Sequence, residues 1–224
     1  MNVTELIPVL YEDDQLLVCQ KPIGLLSQEM AEDSLPELLK AQGRPYIGVI
    51  HRLDRNVGGT MVFAKTKQAA ANLSAQVTDH TMIKEYLAVV EGEPPQEGEW
   101  TDLLFKDSSK NKVFVVNRPR KGAKEAKLAY QRLQTIFTEP KAHSLMHIRL
   151  YTGRTHQIRV QFASRKYPLC GDGKYGSKNN RCDAALWCHQ LTFRHPKSGE
   201  ILSFSTTPPM QYPWNLFAWN TEAK

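Results

Sequence analysis

Residues 48–64 read GVIHRLDRNVGGTMVFA, and this stretch decides the fold. Two short β-like runs, Gly48-Val49-Ile50 and Thr60-Met61-Val62-Phe63-Ala64, enclose the polar segment HRLDRNVGG at 51–59, which reads as a loop. Outward from it, strand, turn and strand recur. Upstream, PVLYEDDQLLVC at 8–19 predicts a hairpin about the turn-prone Glu12-Asp13-Asp14, and Lys21-Pro22-Ile23-Gly24-Leu25 then breaks regular structure. Ser34 and Glu37 have the spacing of a capping box, so a helix is expected from Ser34 to near Gly43. Downstream, the alanine-rich run Lys67 to Val77, with Leu73 and Val77 four apart, predicts a second helix, and Thr155 to Lys166, with Ile158 and Phe162 on one face, a third. Further β runs stand at Glu85 to Val90, Ala129 to Phe137, Ser144 to Leu150, Ala185 to Phe193 and Glu200 to Phe204, the last two joined by the turn-forming His195-Pro196-Lys197-Ser198-Gly199. Residues 106–127 are dense in Lys and Arg around one apolar strand, Val113 to Val116, and read as a basic hairpin or flexible arm. Strands outnumber helices and mostly follow one another directly. The expected class is therefore α+β, a mixed, mainly antiparallel sheet with flanking helices.

A chain of 224 residues suits one domain, and 41% hydrophobic with 23% charged residues is the composition of a globular protein rather than a disordered or fibrous one. No apolar run approaches the ~18–20 residues that span a bilayer, and acids stand near the N-terminus where a secretory signal wants Lys or Arg. No membrane is expected, and the compartment read from these features is the cytoplasm. The cysteines, Cys19, Cys170, Cys182 and Cys188, lack the paired two-residue spacing of a zinc or redox site. They are expected to be small buried hydrophobes in a reducing cell, with no metal. Charge is divided unevenly. Residues 1–105 carry 8 Lys and Arg against 16 Asp and Glu, a net −8, whereas residues 106–224 carry 21 against 7, a net +14. Such polarity suits a polyanionic partner, nucleic acid or an anionic membrane surface, or else a solvated basic face.

Two segments could carry chemistry. The loop at 51–59 places His51, Arg52, Asp54 and Arg55 between rigid strands and ends in Gly58-Gly59. Neighbouring cations favour the ionised form of Asp54, which makes it a candidate nucleophile or electrostatic base; it could equally cap the loop's own amides. The second segment, Tyr151-Thr152-Gly153-Arg154-Thr155-His156-Gln157-Ile158-Arg159, surrounds a helix start with guanidinium groups that suit a carboxylate or a phosphate. It reads as a metal-free phosphate or RNA clamp, or as a surface ion-pair cluster.

Taken together, His51-Arg52-Leu53-Asp54 with Gly59 and Ala64-Lys65, Lys84-Glu85-Tyr86-Leu87-Ala88, Gly153-Arg154-Thr155-His156-Gln157-Ile158-Arg159-Val160, and Gly171-Asp172 with Tyr175-Gly176 resemble the RluA family of RNA pseudouridine synthases in order and spacing. Lys21-Pro22 with Gly24-Leu25, and Leu186, His189, Leu191, Phe193 and His195-Pro196, extend the resemblance over about residues 9–209. The chain departs from the pattern at Val57-Gly58, where the family commonly has Thr-Ser, at Gln161, often His, and at Gln190, usually Ala. Family members often carry an N-terminal S4 RNA-binding domain. Here residues 1–224 are expected to be a single catalytic domain without one.

The resemblance implies the pseudouridine synthase fold and the isomerisation of a uridine in ribosomal or transfer RNA, with the target base flipped out and no cofactor or metal. In this reading Asp54 is the catalytic aspartate, Tyr86 stacks on the extracted base and Arg154 pairs with the aspartate. Stacking worth ~1–3 kcal/mol nearly offsets the few kcal/mol of unstacking. Arg52, His51, Arg55, His156 and Arg159 are expected to brace the site or meet phosphate, and Lys110, Lys112, Arg118, Arg120 and Lys121 to form an RNA track. The partner is a structured RNA, such as a hairpin loop. The rival readings are an idle RNA-binding module on the same fold and a base-removing glycosidase. A monomer is the default expectation.

Overall fold

The computed structural model describes residues 7–28, 33–139 and 141–218; Glu5, one of the acids of the signal-peptide reading, lies outside them. In chain order the elements are β1 (Val9–Glu12), β2 (Leu16–Lys21), α1 (Leu35–Ala41), β3 (Gly48–Val49), β4 (Gly58–Ala64), α2 (Lys67–Thr78), β5 (Ile83–Glu91), β6 (Glu97–Asp107), β7 (Lys112–Val116), β8 (Ala123–Thr138), β9 (Lys141–Leu150), α3 (Gln157–Ser164), β10 (Leu186–Arg194) and β11 (Ile201–Ser205). The strand-heavy α+β class expected from the sequence is the one observed. The chain forms two compact units, one of Met1–Glu85 with Trp187–Thr207, the other of Tyr86–Leu186 with Pro208–Lys224.

In the first unit, β2 pairs antiparallel with β1 and with β4, β4 pairs antiparallel with β3 and parallel with β10, and β11 closes antiparallel on β10. The mixed character of the sheet comes from the β4/β10 pair. The β1–β2 turn forms because Asp13 Oδ1 accepts from the backbone of Gln15 at 2.7 Å and Leu16 at 2.9 Å, as an aspartate at a turn can. All seven residues of β4 are buried. α2 starts where predicted because Thr66 Oγ1 caps the Ala69 amide at 3.1 Å, and it buries Ala69 and Leu73. α1 is shorter than expected and its capping box does not form: Ser34 occupies the cap position but makes no side-chain cap bond. Pro36, two positions on, has no amide hydrogen, which removes one of the two donors a cap can use.

In the second unit the strands lie in the order β5-β9-β8-β6-β7, with β6/β7, β6/β8 and β8/β9 antiparallel. The basic segment 106–127 is a paired hairpin running into β8. β6 was not anticipated, and β8 begins six residues before its apolar run, because polar residues interrupt both stretches and their apolar residues do not strictly alternate. α3 buries Ile158, Val160 and Phe162, and Phe162 meets Trp100 and Tyr130 edge-on at 4.7 and 5.5 Å.

Candidate active site

The Asp54 loop is built by alternation. Leu53 and Val57 are buried, Arg52, Arg55 and Asn56 are exposed, and Asp54 is half-buried between them. The Val57 amide donates to the Asp54 carbonyl at 3.0 Å, closing a turn over residues 54–57. Two residues from the preceding break brace this turn. Ser27 Oγ accepts from the Leu53 amide at 3.1 Å and donates to the Leu53 carbonyl at 2.7 Å. Lys21 is fully buried, and its Nζ donates to the carbonyls of Pro22, Arg55 and Val57 at 2.9, 3.0 and 2.8 Å. Burial pushes the Lys21 ammonium down to about 8, opposed by the charge of Asp54. At neutral pH it therefore remains a cation under the turn, with its three donors matched to three carbonyls.

Gly58 and Gly59, expected to end the loop, are instead the first residues of β4, where they face Trp187 and Cys188 of β10. A Cβ on Gly58 would stand 2.3 Å from the Trp187 ring, and one on Gly59 2.3 Å from the Cys188 carbonyl oxygen, at a φ of +123°. Only residues without side chains let β10 approach here. His51, expected to brace the site or meet phosphate, lies inside: its Nε2 accepts from the Val62 amide at 3.3 Å. Burial, helped by the charge of Lys84, pushes it down to about 3, so the ring is neutral at physiological pH and offers a phosphate no charge. Arg52 is exposed and bonds Gln28 at 3.0 Å; Arg55 is exposed and bonds the Gly24 carbonyl at 2.8 Å.

The second unit holds the remaining expected residues. Tyr86 is buried in β5, 6% exposed. Arg154 is exposed, and its Nε donates to the Glu125 carbonyl at 2.8 Å. The turn that presents it is made by buried Gln157, whose Oε1 accepts from the Arg154 amide at 3.0 Å and from Thr152 Oγ1 at 2.8 Å while its Nε2 donates to the Lys127 carbonyl at 3.1 Å. His156 caps α3 from the left-handed region, at φ +51° and ψ +24°, a conformation costly for a residue with a side chain. Its Nδ1 is 2.8 Å from the Tyr175 hydroxyl, which itself accepts from the Val113 amide at 3.0 Å. Arg159, expected at the RNA, makes a two-pronged bond to the buried Asp172 at 2.7 and 2.8 Å. Lys110, Arg118, Arg120 and Lys121 are exposed around the β6–β7 hairpin, with the Arg120 guanidinium 3.7 Å above the Phe105 ring. Lys112 is half-buried, its Nζ 5.4 Å from the centre of the Tyr175 ring.

Residue-by-residue reading of the sequence thus passed over Ser27 and the bracing role of Lys21, and it placed Thr152 and Gln157 in the second candidate segment without the bonds by which they hold it. Lys21-Pro22 and Gln157 lay within the family-like motifs, and that pattern was the one signal for them. The expectation of four buried cysteines also needs correction: Cys182 is half-buried. No helix among the described residues is long and apolar enough to cross a membrane, and no group of three or more His, Cys, Asp or Glu residues there could hold a metal ion.

A strand-dominated α+β chain with a braced carboxylate on a tight turn and a basic segment has parts that suit an enzyme acting on a polyanion. The RNA pseudouridylate synthase family matches residues 15–164, and the chain belongs to that family, a class of isomerase. It is 33% identical over 239 residues to an uncharacterised RNA pseudouridine synthase of Synechocystis, covering 95% of this chain and 72% of that protein. Ribosomal large subunit pseudouridine synthase D of Neisseria meningitidis is 33% identical over 223 residues, 90% of this chain, which spans only 58% of that relative. For tRNA pseudouridine synthase C of Haemophilus ducreyi the values are 31% over 235 residues, 95% of this chain and 96% of the relative. Among solved structures, human RNA pseudouridylate synthase domain containing 1 superposes with a TM-score of 0.78 at 21% identity, over 94% of this chain and 87% of that one.

Proposed function

We propose that the chain, as one catalytic domain in the cytoplasm, isomerises a specific uridine of ribosomal or transfer RNA to pseudouridine, with Asp54 as the reacting carboxylate. The observation that carries this reading is the Asp54 turn: a half-buried carboxylate whose backbone is tied by Ser27 on one side and by the buried Lys21 on the other. A fixed anion is what the reaction requires. The N1–C1′ bond of the nucleotide breaks, the uracil turns, a C5–C1′ bond forms, and the hydrogen on C5 leaves as a proton while N1 gains one. No atom is lost to water and no electron is transferred. An anion held beside the sugar or the ring serves this sequence by adding covalently or by opposing positive charge on C1′.

In this proposal Tyr86 stacks on the flipped base and Arg154 pairs with Asp54, and the exposed cations of the β6–β7 turn and the β7–β8 link hold the RNA. Release of tritium from RNA labelled at uridine C5 tests it. The wild-type chain is expected to release tritium while the base stays attached. Asp54→Asn is expected to lower the rate by at least a thousandfold and to leave RNA affinity within about threefold, since a neutral isostere keeps the turn but not the charge. Wild-type turnover by Asp54→Asn sinks the assignment; free uracil as product would make the chain a glycosidase, and binding without tritium release an idle RNA module.

A further inference from the structure

Cys170 and Cys182 lie at the two ends of a loop in the second unit, and their sulfurs are 3.8 Å apart. Backbone packing holds the ends together. The Ala185 amide donates to the Cys170 carbonyl at 2.9 Å, and Gly171, at φ +80°, sits so close that a Cβ there would be 2.4 Å from the carbonyl oxygens of both Cys182 and Asp183. From within, Ser177 Oγ ties the loop by accepting from the Gly171 and Asn179 amides, each at 3.1 Å. Cys170 is fully buried and further held by Asn179 Nδ2 at 3.3 Å and the Tyr212 hydroxyl at 3.7 Å, while Cys182 is half-buried at the loop's outer end.

We propose that Cys170 and Cys182 are a reactive dithiol, a modification site apart from the uridine chemistry, at which a peroxide closes the loop with an intramolecular disulfide. Contact distance leaves the sulfurs about 1.8 Å of approach to a bond of roughly 2.05 Å. Cys182 is the sulfur that solvent reaches. One peroxide oxidises it to the sulfenic acid with release of one water; the Cys170 thiolate then attacks that sulfur, the S–O bond breaks, and the hydroxide takes up the proton given by Cys170 as a second water. The balance is two thiols and one peroxide to one disulfide and two waters. The bond would lock the loop whose Asp172 and Tyr175 hold Arg159 and His156.

Treating the full, reduced chain with hydrogen peroxide, alkylating it under denaturing conditions and mapping its peptides without reductant tests the proposal. The expected product has lost two hydrogens, carries a Cys170–Cys182 linked peptide and retains alkylatable Cys19 and Cys188. Cys182→Ser, a change at a half-exposed position, is expected to abolish the link in a folded chain. Four alkylatable thiols after peroxide, a link between any other cysteines, or added oxygen on Cys182 without a link would each overturn it. The readout is covalent, so failure of the uridine assignment leaves it untouched.

Discussion

His51 stands three residues from Asp54, yet it is buried where Asp54 is half-buried. A histidine pushed to about 3 in the folded chain and near 6.5 when unfolded binds its proton more readily in the unfolded state. Its contribution to stability is therefore whole above pH 6.5 and lost as pH falls towards 3. Glu12, held down to about 2 chiefly by its hydrogen bond to Arg44, begins to lose its own contribution only below about 4.5. Between pH 6.5 and 4.5 the fall in stability should thus come from histidine and approach about 1.4 kcal/mol per pH unit for His51. His143 is shifted in the same direction, so His51→Gln, which keeps an acceptor for the Val62 amide, is expected to remove much but not all of that slope. Urea unfolding midpoints at a series of pH values measure it; an unchanged slope would mean that His51 is not buried neutral. At this scale the sequence marked His51 as polar and loop-borne, which was true, but its dielectric surroundings are supplied by residues elsewhere in the chain.

Elements were legible where their faces were. α2 matched its pattern because one side of it is apolar and buried, and the β4 run because it is a continuous apolar stretch buried on both faces. β6 escaped because its apolar residues, Trp100 and Leu103 to Phe105, follow no regular period, and at α1 the capping box did not form, Ser34 Oγ being buried without a hydrogen bond. The start of β4 depends on a partner 129 positions away: Gly58 is empty so that Trp187 can fill the space, with its indole nitrogen bonded to the Thr206 carbonyl and hydroxyl at 3.2 and 3.1 Å. Gly58→Ala is expected to cost about 1–3 kcal/mol by overpacking against that ring. In a Trp187→Leu background the same change should cost less, by at least ~0.5 kcal/mol, as contacting residues couple. Unfolding free energies of the four chains of that cycle decide it, and additive losses would show that the two positions do not share the space.

Charge acts across the whole molecule. The −8 and +14 halves were countable from the residues, and the exposed side chains of Lys110 in the β6–β7 turn and of Arg118, Arg120 and Lys121 in the β7–β8 link place part of that positive charge at the ends of β7. Each phosphate contact contributes roughly 0.7–0.9 to the log–log slope of RNA affinity against salt. Neutralising Lys110, Lys112, Arg118, Arg120 and Lys121 together should flatten that slope by about 3, most of it from the four exposed cations. Filter binding of a hairpin RNA over a salt series tests this, and an unaltered slope would take the hairpin out of the RNA surface.

Periodicity, turn chemistry and the order of motifs are local properties of the chain, and from them alone came the α+β class, the polar turn bearing Asp54 and the division of charge. Burial and contact are not local. That Lys21 serves carbonyls 34 and 36 residues away, that Gly58 yields to Trp187, and that Cys170 touches Cys182 were settled only when folding brought distant segments together. The reason is physical: solvation, van der Waals contact and hydrogen bonding act over a few ångströms of space and take no account of separation along the sequence.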